Sequence, residues 1–284
     1  MKIFLSIAIC LIVCRHTQSQ YVENAELNDT KLYYAYDKDA VLVDTDNYDD
    51  ADSNRIAGGK YADIGDFPYM ALLYHILDNG IIASLCGGTI LSERWVLTAS
   101  HCVLDSPVRF VVTFGIVDKF DIPLQGVSMM TNEVFVHPKN DIALLHMPQD
   151  IPFSTAIKSI KLAYHPESFA NVNAIVVGWG KDQMFGGSVR KLKYATLPIL
   201  SNNECNKYWW RLPVSDEHVC TAAGYGQAAC QGDSGGPLVV MQNGQHVQVG
   251  IVSYGDGACP GNMPGVFIRV SSFNDWIHQV MKLY

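Results

Sequence analysis

The sequence predicts an all-β protein, an antiparallel sandwich or barrel finished by a C-terminal helix, and three observations support it. From Phe67 onward, short apolar runs are punctuated by Gly, Pro, Asn and Asp; residues 69–76, 88–91, 95–98, 110–114, 142–146 and 174–179 have the length of strands. Many such strands at roughly even spacing favour an antiparallel sheet that closes or packs on a second one. Asn243-Gly244, between Val239-Val240 and residues 247–249, is a two-residue hairpin turn, because both residue types tolerate the positive φ it requires. Only near the end does the period change. Phe273, Trp276, Ile277 and Val280 recur at the spacing of one helix face, so 271–283 reads as a helix packed on the sheets. Residues 201–208 form a second, shorter helix.

Two segments of different character precede this body. Residues 1–19 hold Lys2, an apolar run from Ile3 to Cys14, and small residues at Thr17 and Ser19. That is a secretory signal pattern, and the run is too short to span a bilayer. Residues 20–55 hold ten acidic side chains against Lys31, Lys38 and Arg55, and so carry most of the formal charge of −8. Such a segment cannot build a core of its own. It contains a glycosylation sequon at Asn28-Asp29-Thr30 and no cysteine, which excludes a disulfide-knotted module. The domain proper is then 56–284. Nothing in it forms a basic surface for nucleic acid, and a secreted monomer with no membrane partner is expected.

Removal of the signal discards Cys10 and Cys14 and leaves six cysteines. An even number in a secreted chain implies disulfides, although the count alone permits about 15 connectivities. A zinc cluster would need C-x-x-C or H-x-x-x-H spacing, which is absent, so no metal and no cofactor is expected. Asp105, Asp118 and Asp121 lack the ligand spacing of a calcium loop and read as a solvated loop. His75, His137, His146, His165, His218, His246 and His278 read as surface or satisfied loop residues.

The chemistry is concentrated in Cys230-Gln231-Gly232-Asp233-Ser234-Gly235-Gly236-Pro237-Leu238. Its glycines allow a tight turn and close approach of a substrate backbone. Such a turn can aim the N–H groups of Gly232 and Ser234 at one point, an arrangement that stabilises an oxyanion in acyl transfer. A serine hydroxyl needs a base before it attacks at neutral pH, and histidine suits that task. Thr98-Ala99-Ser100-His101-Cys102 supplies one, and Asn140-Asp141-Ile142-Ala143-Leu144-Leu145 supplies a carboxylate to orient it. Together these three stretches resemble the chymotrypsin-fold serine proteases, with His101, Asp141 and Ser234 in that family's order. The resemblance runs from Arg55-Ile56 to the C-terminus. Ser100 stands where the family more often has alanine, a departure expected to leave the catalytic groups untouched.

The resemblance implies two six-stranded antiparallel Greek-key barrels with the site in the cleft between them, and disulfides Cys86–Cys102, Cys205–Cys220 and Cys230–Cys259. It also implies that Arg55-Ile56-Ala57-Gly58-Gly59 is an activation site. Cutting after Arg55 would free the Ile56 amine to pair with Asp233 and order the oxyanion loop. Ser253 would hydrogen-bond Asp141. The specificity slot would have Ala228 and Ala229 at its base, with Ser253, Tyr254, Gly255 and Gly265 along its walls. Members that cleave after Lys or Arg carry an aspartate where Ala228 stands; without it a buried cation would be unpaired. A deep apolar slot, and thus a chymotrypsin-like preference for Phe, Tyr, Trp, Leu or Met, follows. Tyr254 replaces the family's usual tryptophan, and Asp256 lies near the mouth. The implied partners are protein or peptide substrates, protein inhibitors and an activating trypsin-like protease, since the slot should reject Arg55.

Overall fold

The computed structural model describes residues 58–77, 82–103, 109–120, 126–165, 167–183 and 187–284. The signal and acidic segments, Arg55 and Ile56, and Asp105 and Asp121 lie outside them.

Two antiparallel sheets account for most of this body. The first orders its strands β6 (Val127–Thr131), β5 (Phe110–Phe114), β2 (Met70–Ile76), β3 (Ile82–Ser92), β4 (Trp95–Thr98), β8 (Ala143–His146) and β7 (Val134–Val136). In the second, β10 (Asn173–Gly178), β13 (Pro237–Gln242), β14 (Gln245–Tyr254), β15 (Gly265–Arg269), β12 (His218–Thr221) and β11 (Lys193–Leu200) pair in a ring. Contact between β11 and β12 closes it; β1 (Lys60–Tyr61) adds antiparallel to β11, and β9 (Lys161–Leu162) makes a short parallel pairing with β14. The second sheet is thus a six-stranded barrel, while the first is a curled sheet of seven strands whose last, β7, has three residues.

Apolar runs, not alternation, made these strands legible, and the packing explains why. On β2, Ala71 and Leu73 enter a cluster with Phe110, Phe114 and Leu144, whereas Met70 and Leu72 enter another with Trp179 and Val239. Successive side chains point to opposite faces, and here both faces are buried. His75 lies on the same strand. Expected at the surface or in a satisfied loop, it is instead fully buried beside Phe110, with neither ring nitrogen hydrogen-bonded among the described residues.

Local chemistry sets the turns and helix ends. Asn243 and Gly244 have φ of 50° and 73° between β13 and β14, which is the positive-φ pair a tight hairpin needs. Helix α1 (Asn202–Cys205) opens on a capping box, Ser201 Oγ accepting from Glu204 N–H while Glu204 accepts from Ser201 N–H. It is shorter than the sequence reading, because the chain after Cys205 continues as turns to Trp209. Helix α2 (Asn274–Leu283) follows a 3-10 turn, Val270–Ser272, and lays Ile277, Val280 and Met281 on the first sheet's cluster. No helix among the described residues is long and apolar enough to cross a membrane.

Candidate active site

Strand register brings histidine and aspartate together. Thr98 on β4 lies opposite Ala143 on β8, so the chain leaving β4 meets the chain entering β8. A 3-10 turn over Ser100–Cys102 then carries His101, and Asp141 sits two residues ahead of Ala143. His137 shapes that approach, its Nδ1 accepting from the N–H groups of Lys139 and Asn140. Its role is structural.

Four donors converge on the Asp141 carboxylate. Oδ1 accepts from the backbone N–H of His101 at 2.9 Å and from Ser100 Oγ at 3.0 Å. Oδ2 lies 2.8 Å from His101 Nδ1 and accepts from Ser253 Oγ at 2.5 Å. Burial raises the carboxyl pKa, but the hydrogen bonds and charge of His101, with the Ser253 hydroxyl, outweigh it and hold the group at about 2. An anion on Nδ1 keeps the proton there, which leaves Nε2 as the basic nitrogen. Ser100, expected to leave the catalytic groups untouched, is thus in direct contact with Asp141, one of the residues the resemblance implies to be catalytic. A resemblance judged by residue type could not show this, because the hydroxyl acts through space on a residue from another loop.

The serine arrives from the other sheet. Ser234 O accepts from Gly87 N–H on β3 at 2.8 Å. A Cβ on Gly235 would lie 2.1 Å from Thr98 Oγ1, and Gly235 has φ of 77°, so only glycine lets the loop press this close to β4. The neighbours of Ser234 and His101 are therefore in contact, although no hydrogen bond joins Ser234 Oγ to the imidazole among the described residues; such bonds often tighten only with substrate bound. Within the loop, the N–H groups of Asp233, Gly235 and Gly236 donate to Cys230 O, Val252 O and Asp233 O. Those of Gly232 and Ser234 have no acceptor among the described residues, which leaves them available to an oxyanion.

Asp233 sits behind this loop, fully buried. Its oxygens accept from Gly180 N–H at 2.7 Å and Cys230 N–H at 2.8 Å. Burial nevertheless dominates, and these donors and the Lys119 charge only partly offset it, so its pKa is pushed up to about 6.

Beside Ser234 opens a cavity of about 220 Å³ lined by Ala228, Ala229, Ser253, Tyr254, Gly255 and Gly265, all anticipated, and also by Gln231 and Met263. A Cβ on Gly255 would meet nothing within 4 Å, so its absence widens the cavity; one on Gly265 would crowd Thr221 Oγ1 at 3.2 Å. Asp256 also lines it, but its carboxylate accepts from the N–H groups of Ala258, Asn262 and Met263. Trp209 was missed by sequence reading. Its indole N–H donates to Pro264 O, and its ring meets Tyr254 edge-on at 5.2 Å, tying the turns after α1 to both cavity walls. No local signal marks a contact across 55 residues.

All three disulfides, Cys86–Cys102, Cys205–Cys220 and Cys230–Cys259, are formed. The first anchors the His101 turn to β3, and the third joins the serine loop to the far wall of the cavity. Asp118 corrects an expectation, being buried rather than solvated. Both its oxygens take Arg190 Nε, at 2.9 and 2.7 Å, a partner too distant in sequence to foresee.

A protein-family model described as Trypsin matches residues 56–277. The chain belongs to the trypsin family. It is a serine endopeptidase, a hydrolase of peptide bonds whose substrates are proteins.

Proposed function

We propose that this endopeptidase is secreted as an inactive precursor, is activated by cleavage after Arg55, and cuts after large apolar or aromatic residues. The observation that carries the specificity is the cavity beside Ser234, which Ala228 and Ala229 line and whose one acidic lining residue among the described residues, Asp256, has its carboxylate engaged by three backbone N–H groups. A lysine or arginine entering it would lose its hydration among mostly apolar side chains, with no unengaged carboxylate to receive it, whereas an apolar side chain gains by burial.

In the reaction, Ser234 Oγ attacks the scissile carbonyl carbon as His101 Nε2 takes its proton, and Asp141 stabilises the imidazolium. The negative oxygen accepts from Gly232 and Ser234 N–H. Collapse expels the amine, which takes the proton from His101, and water then repeats the sequence on the acyl-enzyme. The substrate backbone adds as a strand along Ser253–Gly255.

Three features support activation. The family match begins at Ile56. Gly58, two residues on, has φ of 74° and lies so close to Gly226 O that a Cβ would stand 2.2 Å from it, which brings the chain against the loop leading to Ala228. Asp233 is a buried carboxyl with no ion pair among the described residues, and the ammonium of Ile56 would meet that lack. Residues 1–19 serve as signal and 20–55 as propeptide in this reading, and the mature protein works as a monomer. The activating enzyme is trypsin-like, because the cavity rejects arginine, and protein inhibitors that fill the cleft are expected partners.

A peptide-library cleavage profile of the trypsin-cut protein tests the specificity. Cleavage after Phe, Tyr, Trp, Leu or Met is expected; dominant cleavage after Lys or Arg would sink the apolar-slot reading. Labelling by a serine-directed fluorophosphonate, lost in Ser234→Ala, tests the nucleophile separately.

A further inference from the structure

We propose that Ser100 is a positioning residue for this reaction, its hydroxyl completing the set of donors that fixes the Asp141 carboxylate against His101. The inference rests on reading His101, Asp141 and Ser234 as the catalytic groups. An ionised carboxylate offers about four lone-pair sites, and Asp141 has four donors: Ser100 Oγ and His101 N–H on Oδ1, Ser253 Oγ and His101 Nδ1 on Oδ2. Ser100 takes the last of these sites. Without it, Oδ1 is held by one backbone N–H, on a side chain that is 22% exposed and open to competing water.

The two Oδ1 donors come from consecutive residues of one 3-10 turn, the turn that carries the imidazole. Oδ1 is therefore fastened to the same rigid unit as His101, and Oδ2 is fastened by Ser253 to β14 of the other sheet. Rotation of the carboxylate about its Cβ–Cγ bond breaks bonds on both sides. That rotation would swing Oδ2 away from Nδ1, so the hydroxyl of Ser100 sets the direction of the proton held on Nδ1 and, through the ring, the direction of Nε2.

A kinetic consequence separates positioning from mere packing. Ser100 touches Asp141 and not the cavity beside Ser234, so loss of its hydroxyl acts on turnover and leaves substrate binding as it was.

The test uses the full chain cut after Arg55 by trypsin, as wild type, Ser100→Ala and Ser100→Thr, each normalised by active-site titration with a fluorophosphonate. For Ser100→Ala, kcat is expected to fall roughly two- to tenfold at unchanged KM, the span of one hydrogen bond. Ser100→Thr, which keeps the hydroxyl, is expected to restore kcat. A Ser100→Ala kcat equal to wild type overturns the inference, as does a loss carried by KM or one that Ser100→Thr fails to repair. If wild type itself takes no fluorophosphonate, the serine reading fails and this inference falls with it; labelled wild type with an indifferent Ser100→Ala overturns the inference alone.

Discussion

Asp141 and Asp233 carry the same carboxyl group in one active-site region, yet the first is held at about 2 and the second pushed up to about 6. Burial acts upward on both. The difference is in what each one meets. Asp141 faces an imidazole that can become a cation, two hydroxyls and a backbone N–H. Asp233, sealed from solvent, has two backbone N–H groups and only the more remote charge of Lys119. Neutral donors do not match a nearby opposite charge. One carboxylate thus has a full set of partners, while the other has no ion pair among the described residues.

The largest expected effect comes from disabling the complete one. Asp141→Asn should lower kcat by about 10⁴-fold, the loss known for the triad template, with little change in KM. Stopped assays on an apolar chromogenic peptide measure it, and a loss below tenfold would remove Asp141 from the reaction. Asp233→Ala attacks the incomplete one. In the trypsin-cut protein it should cost roughly 10² to 10³-fold in kcat, the worth of an oxyanion donor, because the serine loop loses its anchor. Unchanged kcat would detach Asp233 from activation.

A smaller effect distinguishes the two by pH. The raised pKa of Asp233 means the folded state binds its proton more tightly than the unfolded state. Its contribution is thus largest below pH 3.8 and is lost as pH rises to about 6. Two pH units correspond to about 3 kcal/mol, so urea midpoints of the uncut chain should fall across that window. Cutting after Arg55 supplies an amine and should abolish the fall. Asp141 acts in the opposite sense: its stabilisation is present above pH 3.8 and is lost as pH drops toward 2. Equal pH profiles for cut and uncut protein would break the comparison.

Much of this was legible in the sequence where the controlling physics is local. Residues 95–98 and 110–114 were read as strands with their observed bounds, because continuous apolar runs ended by polar residues need no partner to be recognised. The Asn243-Gly244 turn was read from the conformational freedom of two residues. The two-residue strands β1 and β9 went unread, since they exist only by pairing with β11 and β14. His75 was assigned to the surface or a satisfied loop and Asp118 to a solvated loop on residue type, and both are buried by elements distant in the chain. The contact of Ser100 with Asp141 was not legible either, because it joins two loops 41 residues apart.

By itself the sequence determined the strand-forming runs, the hairpin, the helical face near the end and the motifs that mark a serine endopeptidase, all properties of neighbouring residues. Only the tertiary structure decided that Oδ1 of Asp141 takes a hydroxyl from Ser100, that Trp209 braces the cavity walls and that Asp233 lies sealed with no ion pair among the described residues. Hydrogen bonds and burial act over a few ångströms of space, and chain distance places no limit on which residues the fold brings within that range.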